Sequence, residues 1–580
     1  MAETRKLSEN LPQSIGYVVG GGLKENLNVR LTVPAQAVQE GSFIVIESGD
    51  WQFYGIATDL QLGATDPRFA DEQSETRLPP ALAGLLHGQT LFTNLVVMPA
   101  LMLESGPNPN QPDYAAAYPV WRAPIDAGEK EEPRPMPVKT LPAHHAQARL
   151  AAALDIAEIF GDPDEPGNFP VGTTREQDHP VCLNLEKFVQ RSSGIFGATG
   201  TGKSFLTRIL LAGLIDHDKA SVLVYDMHNE YGLDDTASDT GENITGLRTA
   251  FGRAKVQIVG LGGDTKIRET VPDFNLVLGY RDITPADIEL LTRELNLKET
   301  TPTTLDALAT SFPDGWFKAF KEMKTDAWIE DADGKKVPAP DSVASWANRT
   351  GVNVMAAEGL HSKLKRVFNL DYIVENPPSD SIRDVIEALK KGKHIVLSFG
   401  KHENDLDYLL VSNLLTRRIR DEWEKMTNAF RSQSAAEPRP LVIAVEEAHK
   451  LLNREMAAQT TFSTIAREMR KYYVTLLIID QRPSQIYDEV MSQLGTRVCG
   501  WLGDDDDVAA ALSGLASRDA LRGMLARLQP KEEVLLLGWG VPMPILVRSR
   551  RYDAQFWKEI KSANKGDFDR DKTISTMWPG

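Results

Sequence analysis

The segment GATGTGKS, Gly197–Ser204, sets two glycines five positions apart and follows them with lysine and serine. That spacing is suited to holding phosphate. Gly197, Gly200 and Gly202 let the backbone curl, so that the N–H groups of the loop, Ala198, Thr199 and Thr201 among them, can turn inward toward anionic oxygens. Lys203 can then reach the β- and γ-phosphates of a nucleoside triphosphate, and the Ser204 hydroxyl is a ligand for Mg2+. A helix starting near Lys203 adds the positive end of its dipole. The motif by itself does not choose among ATPase, GTPase and kinase.

Hydrolysis also needs acids. In PLVIAVEEAHKLLN an apolar run ends in Glu446 and Glu447. Read as a strand, it delivers both carboxylates to the carboxyl end, where open α/β sheets bind ligands. Glu446 reads as the second contact to magnesium and Glu447 as the general base for water. Acids also suit the first turn of a helix, and both readings hold if AHKLLN begins one. A further strand, VTLLIIDQRPSQI, runs into Gln481. Gln481 reads equally as a contact to the γ-phosphate and as part of a turn.

The elements that must position these groups are legible as texture. SSGIFG reads as the strand before the loop and SFLTRILLAGLI as the helix after it. Short apolar runs recur at 221–226, 256–260, 394–400, 440–447, 474–480 and 532–538, mostly separated by helical stretches. That pattern predicts a sheet buried on both faces and largely parallel. Between Asp282 and Lys391 the strand rhythm stops and amphipathic helices take over, an insertion into the α/β domain. Residues 14–65 and 89–103 alternate β-branched and aromatic residues between glycine turns, which suits a small β-barrel or sandwich. Residues 105–142 are rich in Pro, Asp, Glu and Gly and read as loop and linker. HAQARLAAALDIAEIF, 145–160, reads as a helix.

At 580 residues the chain exceeds one ordinary core. Its net charge of −17 argues against coating nucleic acid over the whole surface but leaves room for a local basic channel. The two cysteines, Cys182 and Cys499, have apolar neighbours and no zinc or disulfide spacing, which fits a reducing cytoplasm. His144 and His145 read as linker residues rather than metal ligands. The amino terminus lacks the apolar stretch of a secretory signal, and no run approaches a membrane span.

In order and context, GATGTGKS, VLVYDMHNEYG, VIAVEEAHKLL, IAREMRKYYVTLLIIDQRPSQI and PILVRSR resemble the HerA family, a branch of the FtsK–HerA group of RecA-like P-loop ATPases. IGYVV and GSFIVIE…YGIATD resemble the small β-barrel that precedes its motor. The resemblance implies an α/β fold with a RecA-like core, an N-terminal barrel and a helical insertion. The corresponding divisions are 1–142 for barrel and linker, 143–281 and 393–552 for the two parts of the ATPase domain, 282–392 for the insertion, and 553–580 for a tail. It implies ATP and Mg2+ as cofactors, with Lys203, Ser204, Glu446 and Glu447 in the roles given above and Gln481 as sensor. Asp226, His228 and Glu230 fall in a segment that in the family reads D-P-H-G-E-Y. Met227 and Asn229 here replace its Pro and Gly, which leaves the turn geometry open.

The same resemblance implies a homohexamer that moves double-stranded DNA through its pore. A γ-phosphate at a subunit interface then calls for a cation from the neighbouring subunit. Arg467 and Arg470, with Lys471, lie at helical spacing, and Arg548 in the last strand is another candidate. RRIR (417–420) and GGDTKIRE (262–269) are basic candidates for DNA contact, though a charged helix face explains the first equally well. The implied function is a cytoplasmic ATP-driven DNA translocase or helicase working with a NurA-like nuclease in DNA end processing. The alternative is the ring of a bacterial antiphage complex that scaffolds a sirtuin-like or nuclease effector. A conjugative or secretion ATPase shares the motor core but fits less well with an N-terminal barrel and no membrane segment. A DEAH-box helicase, suggested by EEAH, needs two tandem RecA-like domains, and this chain has room for one.

Overall fold

The computed structural model describes residues 13–23, 25–65, 91–107, 113–175, 178–236, 241–263, 267, 270–330, 335–456, 460–515 and 518–563. The chain divides into two compact units, each assembled from separated segments. The first takes Met1–Phe188, Ile195–Leu206 and Gly495–Arg551; the second takes Val189–Gly194, Thr207–Leu494 and Tyr552–Gly580.

In the first unit, six strands are β1 (Ser14–Gly20), β2 (Leu27–Leu31), β3 (Phe43–Ser48), β4 (Trp51–Ala64), β5 (Leu91–Glu104) and β6 (Gln147–Leu150). They pair antiparallel in the order β2-β1-β6-β3-β4-β5, and β2 pairs again with β5 through Leu27↔Val97 and Val29↔Leu95. The six therefore form a closed ring without a free edge. Period-two alternation fills it: Leu27 and Val29, Ile44 and Ile46, and Leu95 and Val97 belong to one buried cluster with Phe53, Met102 and Ala148.

Two sequence expectations fail here. The stretch read as one helix over 145–160 splits into strand β6 and a helix, Ala153–Phe160. Strand pairing overrides helix propensity, because β6 fills the place between β1 and β3. Arg149 fixes the junction. Its buried guanidinium donates to Asp155 at 2.6 Å and to Glu47 at 2.8 Å, and Asp155 also accepts the Ala152 N–H at 2.6 Å. The stretch read as linker contains a helix, Tyr114–Asp126, despite Pro119 and Pro124. Tyr114, Tyr118 and Trp121 recur at helical spacing, with ring centroids 5.2 and 5.7 Å apart, and Trp121 donates to Glu104.

The remainder of the first unit is an antiparallel array of β7 (Asn168–Thr173), β8 (Pro180–Asn184), β16 (Thr496–Cys499), β17 (Glu533–Gly538) and β18 (Ile545–Ser549), in the order β16-β17-β18-β7-β8. Cys182 and Cys499 are both buried here, and burial pushes each thiol up to about 12.

The main sheet of the second unit is parallel. Strands β10 (Ser221–Asp226), β11 (Val256–Leu261), β12 (Phe274–Leu276), β13 (His394–Ser398), β14 (Leu441–Glu446) and β15 (Val474–Asp480) run in the order β12-β11-β13-β10-β14-β15. Every residue of β10, β13, β14 and β15 is buried. This is why their sequences are continuous apolar runs rather than alternations. The Leu476 N–H of β15 donates to Oγ of Ser192, just before β9 (Ser193–Phe196). The sheet order β14, β15, then the chain entering β9, is that of a RecA-like core.

Among the described residues between Asp282 and Lys391 lie six α-helices, Pro285–Glu289, Thr301–Ser311, Trp316–Glu322, Val343–Thr350, Val354–Phe368 and Ser381–Lys390. Two of the tryptophans there, Trp316 and Trp346, are core residues, buried with Phe317 and Phe320, and Phe317 meets Phe368 edge-on, whereas Trp328 is exposed. Among the described residues no helix is long and apolar enough to cross a membrane.

Candidate active site

In the first unit, residues 197–202 form an irregular loop between β9 and the helix Lys203–Asp216. Gly200 and Gly202 hold φ of +78° and +91°, backbone that L side chains rarely adopt. Thr201 closes the turn: its Oγ1 donates to Ala198 O at 2.6 Å. Two anchors tie the loop down, Ala198 N–H to Trp501 O and Lys531 N–H to Thr201 O, both at 3.0 Å. The helix registers at once, with Leu206 N–H on Gly202 O. Thr199 and Gly200 are exposed at the tip, and Lys203 and Ser204 are half-buried. The result is a curled loop with an open tip, leading into a helix N-terminus.

Arg548 lies in β18 of the same unit, about half exposed, with Nη1 3.1 Å from Asp178.

In the second unit, the parallel strands deliver their polar residues to one edge. Asp226 ends β10, Glu446 ends β14 and Asp480 ends β15. Asp226 is fully buried and organises the segment after it. Its carboxylate accepts the N–H groups of Glu230 at 2.8 Å, Tyr231 at 2.9 Å and Gly232 at 3.4 Å. Burial outweighs these donors and pushes its carboxyl up to about 6. Asn229 has φ +56°, the left-handed conformation glycine would supply, so it replaces the family's Gly without losing the turn. Its side-chain oxygen takes the Ser398 hydroxyl. His228 is exposed on this turn.

The turn reaches Glu446. Tyr231, buried to 0%, donates its hydroxyl to Glu446 Oε1 at 3.1 Å. Tyr408 Oη donates to the Glu446 backbone carbonyl at 2.6 Å. Burial, and then the nearby Glu446, hold the Tyr231 hydroxyl well above its ordinary pKa, so it acts only as a neutral donor. From the helix that follows the phosphate loop, buried Arg208 donates to Glu230 O at 2.6 Å. Tyr231 thus holds the Glu446 carboxylate and Tyr408 its backbone, while Arg208 secures the turn that carries Tyr231.

Glu447 stands one residue past the strand with φ +46°. For a residue with a Cβ this costs roughly 1–2 kcal/mol. The side chain is mostly buried, and Oε2 accepts from Gln481 Nε2 at 3.2 Å. The same oxygen is 3.6 Å from His449 Nδ1. His449 in turn lies 3.0 Å from Asp480 Oδ2, whose carboxylate also accepts the N–H groups of His449 and Arg482, each at 2.7 Å. Residues 449–452 are helical, so the acids stand at a strand end and before a helix, as both sequence readings allowed.

Several candidates are not gathered here. Arg467 is exposed and pairs with Glu489 at 3.4 Å; Arg470 is exposed beyond it. The helix ends at Glu468 and tightens into a 3-10 turn over Met469–Tyr472, so Arg467, Arg470 and Lys471 do not share one α-helical face. Arg417 and Arg418 pair with Asp287 and Asp282, and Arg420 with Asp421, which is the charged-face reading of RRIR. Most of GGDTKIRE lies outside the described residues. Tyr231, Arg208, His449 and Asp480 escaped the sequence reading. The available signals were their places inside DMHNEY and EEAH and directly before Gln481, which motif matching alone does not weigh.

Among the described residues no three His, Cys, Asp or Glu side chains gather as a metal cage.

Residues 169–419 match the family model described as Helicase HerA, central domain. Two relatives are named DNA double-strand break repair helicase HerA. That of Saccharolobus solfataricus is 23% identical over 567 residues, covering 95% of this chain and 97% of its own. That of Pyrococcus furiosus is 24% identical over 394 residues, covering 63% of this chain and 66% of its own, just under two thirds of that relative. Among solved structures, VirB4 of Thermoanaerobacter pseudethanolicus aligns with a TM-score of 0.42 and 15% identity over 68% of this chain and 99% of that one, a likeness on which nothing further rests.

Proposed function

We propose that this chain, a member of the HerA family by its central domain, is an ATP-hydrolysing motor of the DNA helicase and translocase kind. The observation that carries the reading is the contact of Gln481 with Glu447 at the ends of two neighbouring parallel strands. A polar sensor and a carboxylate base on adjacent strands are what a hydrolytic P-loop site requires. The curled loop with glycines at positive φ supports the binding half of the same reading.

In this reading the loop Gly197–Gly202 and Lys203 hold the phosphates of ATP. Ser204 and Glu446 serve the magnesium ion, which supplies charge neutralisation at the β- and γ-oxygens. Glu447 orients and deprotonates the attacking water, and Gln481 reports the γ-phosphate state. Asp226, His228 and Glu230 are further nucleotide-binding residues. Arg467, Arg470 or Arg548 is the cation offered to a neighbouring subunit. The working form is a homohexamer with double-stranded DNA in its pore, in the cytoplasm, acting with a partner nuclease in DNA end processing.

Hydrolysis of magnesium-ATP by the full chain, with and without duplex DNA, tests this. Lys203→Ala loses nucleotide affinity and Glu447→Gln retains it while hydrolysis stops; wild-type hydrolysis in both variants overturns the reading. Native mass determination is expected to give six copies. Capture of the tagged chain from its own cells returns a nuclease, whereas a sirtuin-like or other toxic effector would move the ring to an antiphage complex.

A further inference from the structure

Beside the candidate base lies a pair of groups that phosphate-loop hydrolysis does not by itself require. Asp480 is completely buried, at 0% side-chain exposure, yet carboxylates are costly to bury without compensation. All its compensation comes from two residues: the N–H of Arg482, and both the N–H and the ring of His449. His449 Nδ1 lies 3.2 Å from Oδ1 and 3.0 Å from Oδ2 of that carboxylate. The same Nδ1 is 3.6 Å from Glu447 Oε2. Carboxylates accept only, so Nδ1 carries a hydrogen, and any second proton goes to Nε2.

Glu447 needs such help. It sits at φ +46°, and its Oε2 accepts from Gln481 Nε2 and lies 3.6 Å from His449 Nδ1, an ion-pair distance rather than a hydrogen bond. Gln481 follows Asp480 directly in the chain. The residue that clamps the imidazole and the residue that holds the base are therefore set by one strand end.

We propose that His449 and Asp480 are positioning residues for Glu447: Asp480 locks the imidazole, and the ring holds the Glu447 carboxylate in its hydrolytic position. This rests on the reading of Glu447 as the base. The charged groups around the ring are Asp480 and Glu447, with Lys450 opposing them; Lys450 is itself paired with Asp405. The Asp480 hydrogen bond, against burial, raises the imidazole above its ordinary pKa, so the ring is more readily a cation. Asp480, despite its burial, is held below the usual carboxylate range by the same partner. His449 therefore contributes fully below its ordinary value of about 6.5, and the contribution is lost as pH rises through its raised folded-state value.

The test uses the full chain as wild type, His449→Gln, Asp480→Asn and Glu447→Gln. The readouts are steady-state ATP hydrolysis from pH 6 to 9.5, affinity for a fluorescent ATP analogue with magnesium, and nucleotide-free thermal midpoints over the same range. The glutamine can still bond Asp480 but carries no charge. We expect His449→Gln to keep nucleotide affinity, lower turnover about tenfold, and lose the alkaline decline shown by wild type. The thermal advantage of wild type over His449→Gln is expected to shrink as pH rises above neutrality. Asp480→Asn should reproduce the loss of the alkaline decline wherever it remains folded. If Glu447→Gln is inactive and His449→Gln keeps wild-type turnover and pH profile, this inference alone fails. It also fails if His449→Gln lowers turnover equally at every pH with the decline intact, since that is a purely structural effect. If Glu447→Gln hydrolyses ATP like wild type, the assignment of the base fails and takes this inference with it.

Discussion

Gln481 Nε2 donates to Glu447 Oε2 across 3.2 Å, tying the residue after β15 to the residue after β14. The two strands pair parallel, with Glu446 opposite Ile479, so the contact is set by sheet register. A displaced register would put the side chains on opposite faces.

Replacing that donor isolates its contribution. Gln481→Ala is expected to leave nucleotide affinity within about twofold and to reduce turnover by roughly 10²-fold, the scale of losing an orienting group at a reacting centre. Equilibrium binding of a fluorescent nucleotide and steady-state hydrolysis separate the two. Turnover at the wild-type level would remove Gln481 from the mechanism.

Tyr231→Phe keeps the buried ring and deletes only the hydroxyl that donates to Glu446. A buried carboxylate oxygen loses a donor, which costs about 1–3 kcal/mol. Urea unfolding should show this as a lower midpoint at unchanged slope. Hydrolysis should also need more magnesium for half-saturation, because Glu446 is no longer held from that side. An unchanged magnesium dependence would limit Tyr231 to a stabilising role.

Asp226 supplies a pH signature. Its folded-state value of about 6 lies above the ordinary aspartate value. The protonated form is thus favoured in the fold, and the stability it lends is complete below about pH 4 and lost as pH rises through 6. Asp226→Asn cannot titrate, and its amide clashes with the N–H groups of Tyr231 and Gly232, so the variant should be less stable overall. Between pH 4 and 7 the gap between wild type and variant should narrow by up to about 2–3 kcal/mol, measured by urea midpoints. A constant gap would mean that Asp226 titrates normally.

Arg149 ties the ring of strands to the helix Ala153–Phe160 through Asp155 and Glu47. Arg149→Met leaves Asp155 with no cation in a buried site. Loss of about 3–5 kcal/mol is expected for breaking such a pair from one side. Replacing Asp155 with Asn in the same chain should recover part of it. Failure of that double variant to recover any stability would show that packing of the arginine stem, rather than charge, is what counts.

Much was legible before any coordinates. The phosphate loop, its strand and its helix follow from GATGTGKS and its neighbours, because that chemistry is local: glycine spacing sets the curl and one helix supplies the dipole. The parallel strands were legible because burial on both faces leaves an uninterrupted apolar run. The acids at 446 and 447 could be placed because a strand's end is a position along the chain. The strand at 147–150 and the helix at 114–126 were not legible. The first is a strand only because β1 and β3 leave a place for it, and the second hid behind two prolines and a polar neighbourhood.

Only the tertiary structure decided which side chains act on the acids. Tyr231 and Glu446 are 215 positions apart, and His449 and Asp480 are 31 apart. No periodicity connects such residues. They meet because β10, β14 and β15 end on one edge in a fixed parallel register. The sequence by itself determined the candidate groups and the strands that carry them. Sheet register decided how those groups are oriented, since a side chain's direction depends on a partner strand that arrives from elsewhere in the chain.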